Sequence, residues 1–239
     1  RFLDAAGQFE SIVNESGLLR LDRMDTDSII GTDESAGVLD RYFSLSGDEQ
    51  TVLEDIRLDP SEMRIGDKIL CVHTLSDADA LPQSVCTDSR YEKFSTDRSD
   101  CRLSFASPVG LLLSCDHLYN QFIFIDDHDE TLRRFERSAK NMNSLSRYSR
   151  ANAINKEWID LFLNEAHSQG LSCVRCHCNV MAWADNHDDL RRIKNEVGSQ
   201  LAAMECTPHH NTVDAPTLYW GSIPGNEGDF PAEESFYTF

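Results

Sequence analysis

Leu111-Leu112-Leu113, then Tyr119-Asn120-Gln121-Phe122-Ile123-Phe124-Ile125, then Asp126-Asp127-His128-Asp129: this succession, continued to Ala166, decides how the chain folds. The middle block is rich in the aromatic and β-branched residues that suit a pleated, half-buried surface, and it predicts a strand. The acidic block closes that strand and offers side-chain oxygens to the free N–H groups of a helix that follows. In that helix Leu132, Phe135, Ala139, Met142 and Leu145 recur at steps of three and four, one apolar stripe. A second helix is expected after residues 144–150, with Trp158, Leu161, Phe162 and Ala166 as its buried face. A strand feeding two amphipathic helices builds a core and brings no catalytic constellation with it.

Downstream, residues 171–184 read as the next strong strand. Asp185 and Asn186 then cap a helix running to Met204, with Leu190, Ile193, Val197 and Leu201 on its inner side. Residues 212–221 predict a last strand, and 223–231, with Pro224, Gly225, Gly228 and Pro231, a turn-rich linker. Upstream the signals are weaker. Residues 1–14 predict a helix with Phe2, Ala6, Phe9 and Val13 on one side, closed by Gly17. Strands are expected at 18–24, 51–58, 68–75 and 101–107, the last ended by Pro108. Gly66-Asp67 makes the turn before the third of them. Residues 25–37 read as a turn or weak helix, 38–43 as a helix, and 85–100 as a long polar excursion. This order predicts an α+β fold with helices layered on one face of a mixed or antiparallel sheet. A ferredoxin-like βαβ arrangement is an option over 119–221. Three parts are expected: an irregular subdomain (1–110), the core domain (111–222) and a linker (223–239).

Composition narrows the function classes. With 239 residues, 40% of them hydrophobic, the chain can bury a real core. Its 22 Lys and Arg stand against 41 Asp and Glu, a net charge of −19. Such a surface repels a nucleic-acid backbone on average, so direct DNA binding is not expected. One region is locally basic, from Arg133 and Arg134 to Lys156. Arg133, Arg137, Arg147 and Arg150 are its candidates for an interaction surface, against the plainer reading of a solvated helical face. No apolar run approaches the roughly 18 residues a membrane span needs, and no signal peptide is visible. Eight cysteines are few for a disulfide framework at this length, which favours a reducing compartment. Arg1 at the start and Phe236 and Phe239 near the end suggest a piece of a longer protein, with exposed apolar residues where more chain would follow.

Cys173-Val174-Arg175-Cys176-His177-Cys178 is the sharpest chemical pattern. Cys173, Cys176 and Cys178, completed by His210, are what a zinc ion would take, as in a zinc-bearing hydrolase or nucleic-acid enzyme. The pleat of a strand opposes this. It turns Cys176 and Cys178 one way, and Cys173 and His177 to the other face. There is no Gly-x-Ser-x-Gly elbow and no Gly-x-x-x-x-Gly-Lys-Ser/Thr phosphate loop. No catalytic residue, metal or cofactor is expected in this chain.

Six blocks, in this order, carry a family resemblance: Phe2-Leu3-Asp4-Ala5-Ala6-Gly7-Gln8-Phe9-Glu10, Arg64-Ile65-Gly66-Asp67-Lys68, Tyr119 to Ile125, Ser144-Leu145-Ser146-Arg147-Tyr148-Ser149-Arg150, Phe162-Leu163-Asn164-Glu165-Ala166, and Ile223-Pro224-Gly225-Asn226-Glu227-Gly228-Asp229-Phe230-Pro231. Their succession resembles the part upstream of the motor in TraG-family conjugation ATPases. These are the VirB-type assembly ATPases of bacterial type IV secretion found in Bacteroides-like conjugative elements. The resemblance implies a non-catalytic assembly domain, cytoplasmic and peripheral to the inner membrane through its partners. Those partners would be inner-membrane components of a conjugation channel, the protein's own motor domain and further copies in a homo-oligomer. ATP and magnesium would belong to the motor of the full-length protein.

Overall fold

The computed structural model describes residues 1–45, 54–82, 89–146, 148–231 and 234–238. The chain divides into two compact units, Arg1–Ile56 and Arg57–Phe239. The sequence reading placed its divisions at 110 and 222.

The first unit is helical. Helix α1 (Phe2–Glu15) ends as Gly17 enters the left-handed region at φ 68°. Its apolar residues are not buried: Phe2, Leu3, Phe9 and Ile12 all face solvent. Residues 18–24 form no strand, contrary to expectation. They pair with no other strand, and the Asn14 amide holds them instead, bonding both the N–H and the carbonyl of Leu21. Helix α2 (Thr26–Ile30) starts at Asp25, whose carboxylate accepts the Ser28 N–H at 2.8 Å and is held below its usual pKa by the bonds from Ser28. Gly31 and Gly37 approach so closely that a Cβ on either would collide with the other's backbone, and helix α3 (Val38–Ser44) follows.

The second unit is built on an antiparallel sheet. Its described strands are β1 (Ile56–Asp59), β2 (Glu62–Ile65), β3 (Lys68–Leu75), β6 (His117–Phe124), β7 (Val174–Ala184), β8 (His209–Asn211) and β9 (Phe236–Thr238). The order is β1-β2-β3-β7-β6. β8 continues β2's edge of β3, and β9 continues β3's edge of β7. A separate two-residue ladder joins β4 (Ser89–Arg90) to β5 (Arg102–Leu103). The helices are α4 (Ser107–Leu112), α5 (His128–Leu145), α6 (Arg150–Gln169), α7 (His187–Ala203) and α8 (Ala215–Gly221). The class is α+β, as the alternation of periods implied.

The connections explain the topology. β6 and β7 are adjacent and antiparallel, so the chain must return to the end it left, and two antiparallel helices, α5 and α6, do that. β7 and β8 both run antiparallel to β3, with β3 between them and α7 as the crossover. This is a split βαβ unit, the one part of the ferredoxin-like option that forms.

Both faces of the sheet are covered. On one face Ile69, Cys71 and Leu75 of β3 meet Cys178, Val180, Ala182 and Ala184 of β7. Over them lie Leu190, Ile193, Val197 and Leu201 of α7 and Val109 of α4. Burying each of the Leu, Ile and Val side chains among them stabilises the fold by roughly 1.5–3 kcal/mol. On the other face lie Leu70, Val72, Thr74, His177, Asn179 and Met181. Phe230 closes that face, stacking on Phe122 at 4.1 Å between ring centres. Residues 223–231 are thus packed, with Ile223 and Phe230 buried. Gly221 sits so tightly on them that a Cβ would come within 2.8 Å of the Phe230 Cα.

Three further expected strands differ from the reading in whole or in part. Within 212–221, Ala215–Gly221 form helix α8 rather than a strand: Pro216 has no N–H to give a ladder, but in a helix's first turn none is required. Of 101–107 only Arg102–Leu103 is strand, and Pro108 opens α4 instead of ending a strand. Of 51–58 only the last three residues are in β1, and 51–53 lie outside the described residues, as do 83–88 of the polar excursion.

Candidate interaction surface on the helical hairpin

The α5–α6 hairpin stands on sequence-local signals at both ends. Asp127 caps α5 by accepting the Glu130 N–H at 2.8 Å, and Asp129 and Glu130 add negative charge at the positive helix end. Gly170, at φ 63°, closes α6 by donating its N–H to the Ala166 carbonyl. Between the helices Leu132 and Phe135 meet Ile159, Phe162, Leu163 and Ala166. The Phe135 and Phe162 rings lie 4.9 Å apart, and Tyr237 of β9 meets Phe135 edge-on at 4.9 Å.

The buried face of α6 is narrower than its sequence implied. Phe162 and Ala166 point inward, but Trp158 and Leu161 do not: they are 61% and 63% exposed. With Ile154, 46% exposed, they form a stripe at steps of four and three along the outer side of α6. One antiparallel partner covers one stripe of a helix, and α5 has taken the other.

At the foot of the hairpin a cleft of about 640 Å³ opens between α5, the start of β7 and β9. Asp126 and Arg175 form its inner wall. The guanidinium donates from Nε at 2.6 Å and from Nη2 at 3.2 Å to the two carboxylate oxygens. These bonds hold the Asp126 carboxyl below the usual carboxylate range, against a smaller opposing effect of burial. Arg175 also donates from Nη1 to the Ser235 hydroxyl at 3.1 Å and lies over the Phe124 ring at 5.0 Å. Opposite, the Arg134 guanidinium lies 4.9 Å over the Tyr237 ring, and Arg137 follows one turn along α5.

The structure therefore regroups the basic residues singled out in the sequence. Arg137 lines the cleft. Arg133 is exposed on α5 and does not line it. Arg150 begins α6, beyond the far end of α5. Arg147 lies outside the described residues, as does Phe239, while Phe236 is half-buried as the first residue of β9. Arg134 belonged to the basic run without being singled out, and Arg175 was read as part of the cysteine strand. Only the fold, through a contact between residues 49 apart, makes Arg175 a wall of this cleft.

The cysteines and histidines are placed separately. Cys173 precedes β7 and packs inside the hairpin, while Cys178 lies in the core under α7 with Cys206. Burial pushes the thiols up, Cys71 and Cys206 to about 11. His177 is on the opposite face and is fully hydrogen-bonded. Its Nδ1–H donates to the Glu234 carbonyl, and its Nε2 accepts from Asn179 Nδ2 at 3.0 Å. Asn120 donates in turn to Asn179 at 2.8 Å. His210 is beside His73, with ring centres 5.1 Å apart. Among the described residues no three His, Cys, Asp or Glu side chains converge as a metal site. Nor, among them, is any helix long and apolar enough to cross a membrane. No protein-family profile and no curated protein matches the sequence.

Proposed function

We propose that this chain is a non-catalytic assembly domain of a conjugative-transfer ATPase of the TraG family, which powers type IV secretion of DNA. The observation that carries the reading is the ordered succession of the six sequence blocks. Two of them, residues 119–125 and 223–231, lie about a hundred positions apart and fold against each other through Phe122, Phe124 and Phe230. The block at 162–166 supplies the inner face of the hairpin. The outer stripe of α6 then suits the role: it is the surface that would meet an inner-membrane component of the channel. Burying Ile154, Trp158 and Leu161 there would gain roughly 5 kcal/mol before the costs of association. In this reading the domain works at the cytoplasmic side, peripheral to the membrane through its partners. ATP and magnesium bind the motor beyond it, and the full-length protein assembles with its own copies.

The test is the sequence encoded beyond position 239, together with ATP turnover by residues 1–239 alone. The reading expects a Gly-x-x-x-x-Gly-Lys-Ser/Thr loop downstream and no turnover by this chain. A gene with no such loop, or hydrolysis by residues 1–239, overturns it.

A further inference from the structure

The sheet ends on two unlike edges. On one side lie β1, four residues long with Arg57 and Asp59 in it, and β8, three residues long. Short strands and charged residues discourage further pairing. On the other side is β6, eight residues long, and from His117 to Ile125 it holds no Lys, Arg, Asp, Glu, Pro or Gly. β7 occupies one edge of β6. Among the described residues nothing bonds to the backbone N–H and C=O groups on its other edge. Alternate residues of a strand turn these groups outward, so a row of donors and acceptors stands open. Side chains beside it are exposed as well: Gln121, Ile123 at 58% and Ile125 at 86%.

We propose that β6 pairs with β6 of a second copy of this chain, antiparallel about a two-fold axis at Gln121, so that two sheets become one. A strand can pair with itself in this way, since the two-fold axis reverses its direction. What each side chain then meets sets the register. Ile123 falls opposite the second copy's Tyr119, and Ile125 opposite its His117. The two Gln121 amides meet on the axis, each able to donate to and accept from the other. On the other face Phe122 falls opposite Asn120, and Phe124 opposite Leu118. Aromatic and β-branched residues facing each other are favourable cross-strand pairs, and no charge lies inside this ladder. Moving the axis one residue either way brings Asp116 opposite Phe124, or Asp126 opposite Leu118. With the axis at Gln121 these acids meet only at the ladder's ends, where two bonds from Arg175 balance the charge of Asp126. A charged foreign segment would find no counter-charge along this edge; a second copy needs none. The net charge of −19 on each copy is an overall repulsion that salt screens, with a Debye length of about 8 Å at physiological strength. The inference deepens the assembly reading by naming the surface where copies join, and it rests on that reading only for the dimer's having a role.

The test is sedimentation equilibrium of the whole chain over a range of salt concentrations. The wild type is expected to dimerise reversibly, and more tightly as salt rises. Gln121→Lys and Gln121→Glu each set like charges face to face on the axis, and each should weaken the dimer by at least about fivefold. Gln121 is exposed, so neither change disturbs the fold of one copy. Mixing the two variants should restore the dimer, because opposite charges then face each other. Trp158→Asp with Leu161→Asp, on the outer side of α6, should leave it unchanged. A wild type that stays monomeric at every concentration and salt tested overturns the proposal. So does a dimer untouched by Gln121→Lys, a failure to recover on mixing, loosening as salt rises, or an equal loss from the α6 variant. None of these results bears on the downstream sequence or on ATP turnover, which test the family reading.

Discussion

Helices α6 and α7 make an instructive pair. Both are long and amphipathic, and both flank β7, the longest described strand of the sheet. In α7 the stripe Leu190, Ile193, Val197 and Leu201 is wholly buried on β3 and β7. In α6 the apolar residues divide. Leu163 and Ala166 are buried against α5, while Ile154, Trp158 and Leu161 face out. A sheet is a broad surface that takes a helix's entire apolar arc. A single neighbouring helix takes one stripe and leaves the rest. α7 is therefore an element of the core, and α6 belongs half to the core and half to a surface open to a partner.

The contrast makes unequal demands on the two helices. Leu201→Ala on α7 should cost the most, about 3–4 kcal/mol, because a fully buried leucine leaves a cavity in a close-packed layer. Urea unfolding measures it, and a loss below about 1 kcal/mol would mean that α7 is not the core helix described here.

Next in size is a pH effect beneath α7. His73 is buried, and its Nδ1 has no hydrogen-bond partner. Burial first, then His210 and Lys194 nearby, push its pKa from 6.5 down to about 4. Between those values the unfolded chain binds the proton and the folded one does not. Stability is therefore full above pH 6.5 and falls as pH drops toward 4. From pH 6.5 to 5 the loss should be about 2 kcal/mol, at about 1.4 kcal/mol per unit. It should be absent from the same profile of His73→Phe; parallel profiles would place His73 in water. Smallest of all is Leu161→Ala on the outer side of α6, expected to change stability by less than about 0.5 kcal/mol. A cost like that of Leu201→Ala would erase the distinction between the two helices.

The same contrast explains what could be read from the amino acids alone. Period and caps are local, so β3 is found at its expected bounds, α5 begins at its Asp127 cap and α7 at Asn186. Long-range facts are not local. Leu218, Tyr219 and Trp220 have strand-like composition, yet Pro216 commits residues 215–221 to a helix. An apolar stripe declares that a face prefers burial, not which neighbour will bury it, and so Trp158 and Leu161 read as core. The cleft was half visible: its α5 arginines stood in a basic run, while Arg175 looked like one residue of an alternating strand. Its role depends on Asp126, 49 positions earlier.

The most direct test of the account exchanges Trp158 and Leu161 for aspartate in the full-length ATPase that the proposed function implies and measures conjugative transfer. The account predicts that transfer falls by at least about tenfold while the unfolding midpoint of residues 1–239 is unchanged, the mark of a lost contact rather than a lost fold. Transfer at the wild-type level, with both aspartates on the outer side of α6, would contradict it.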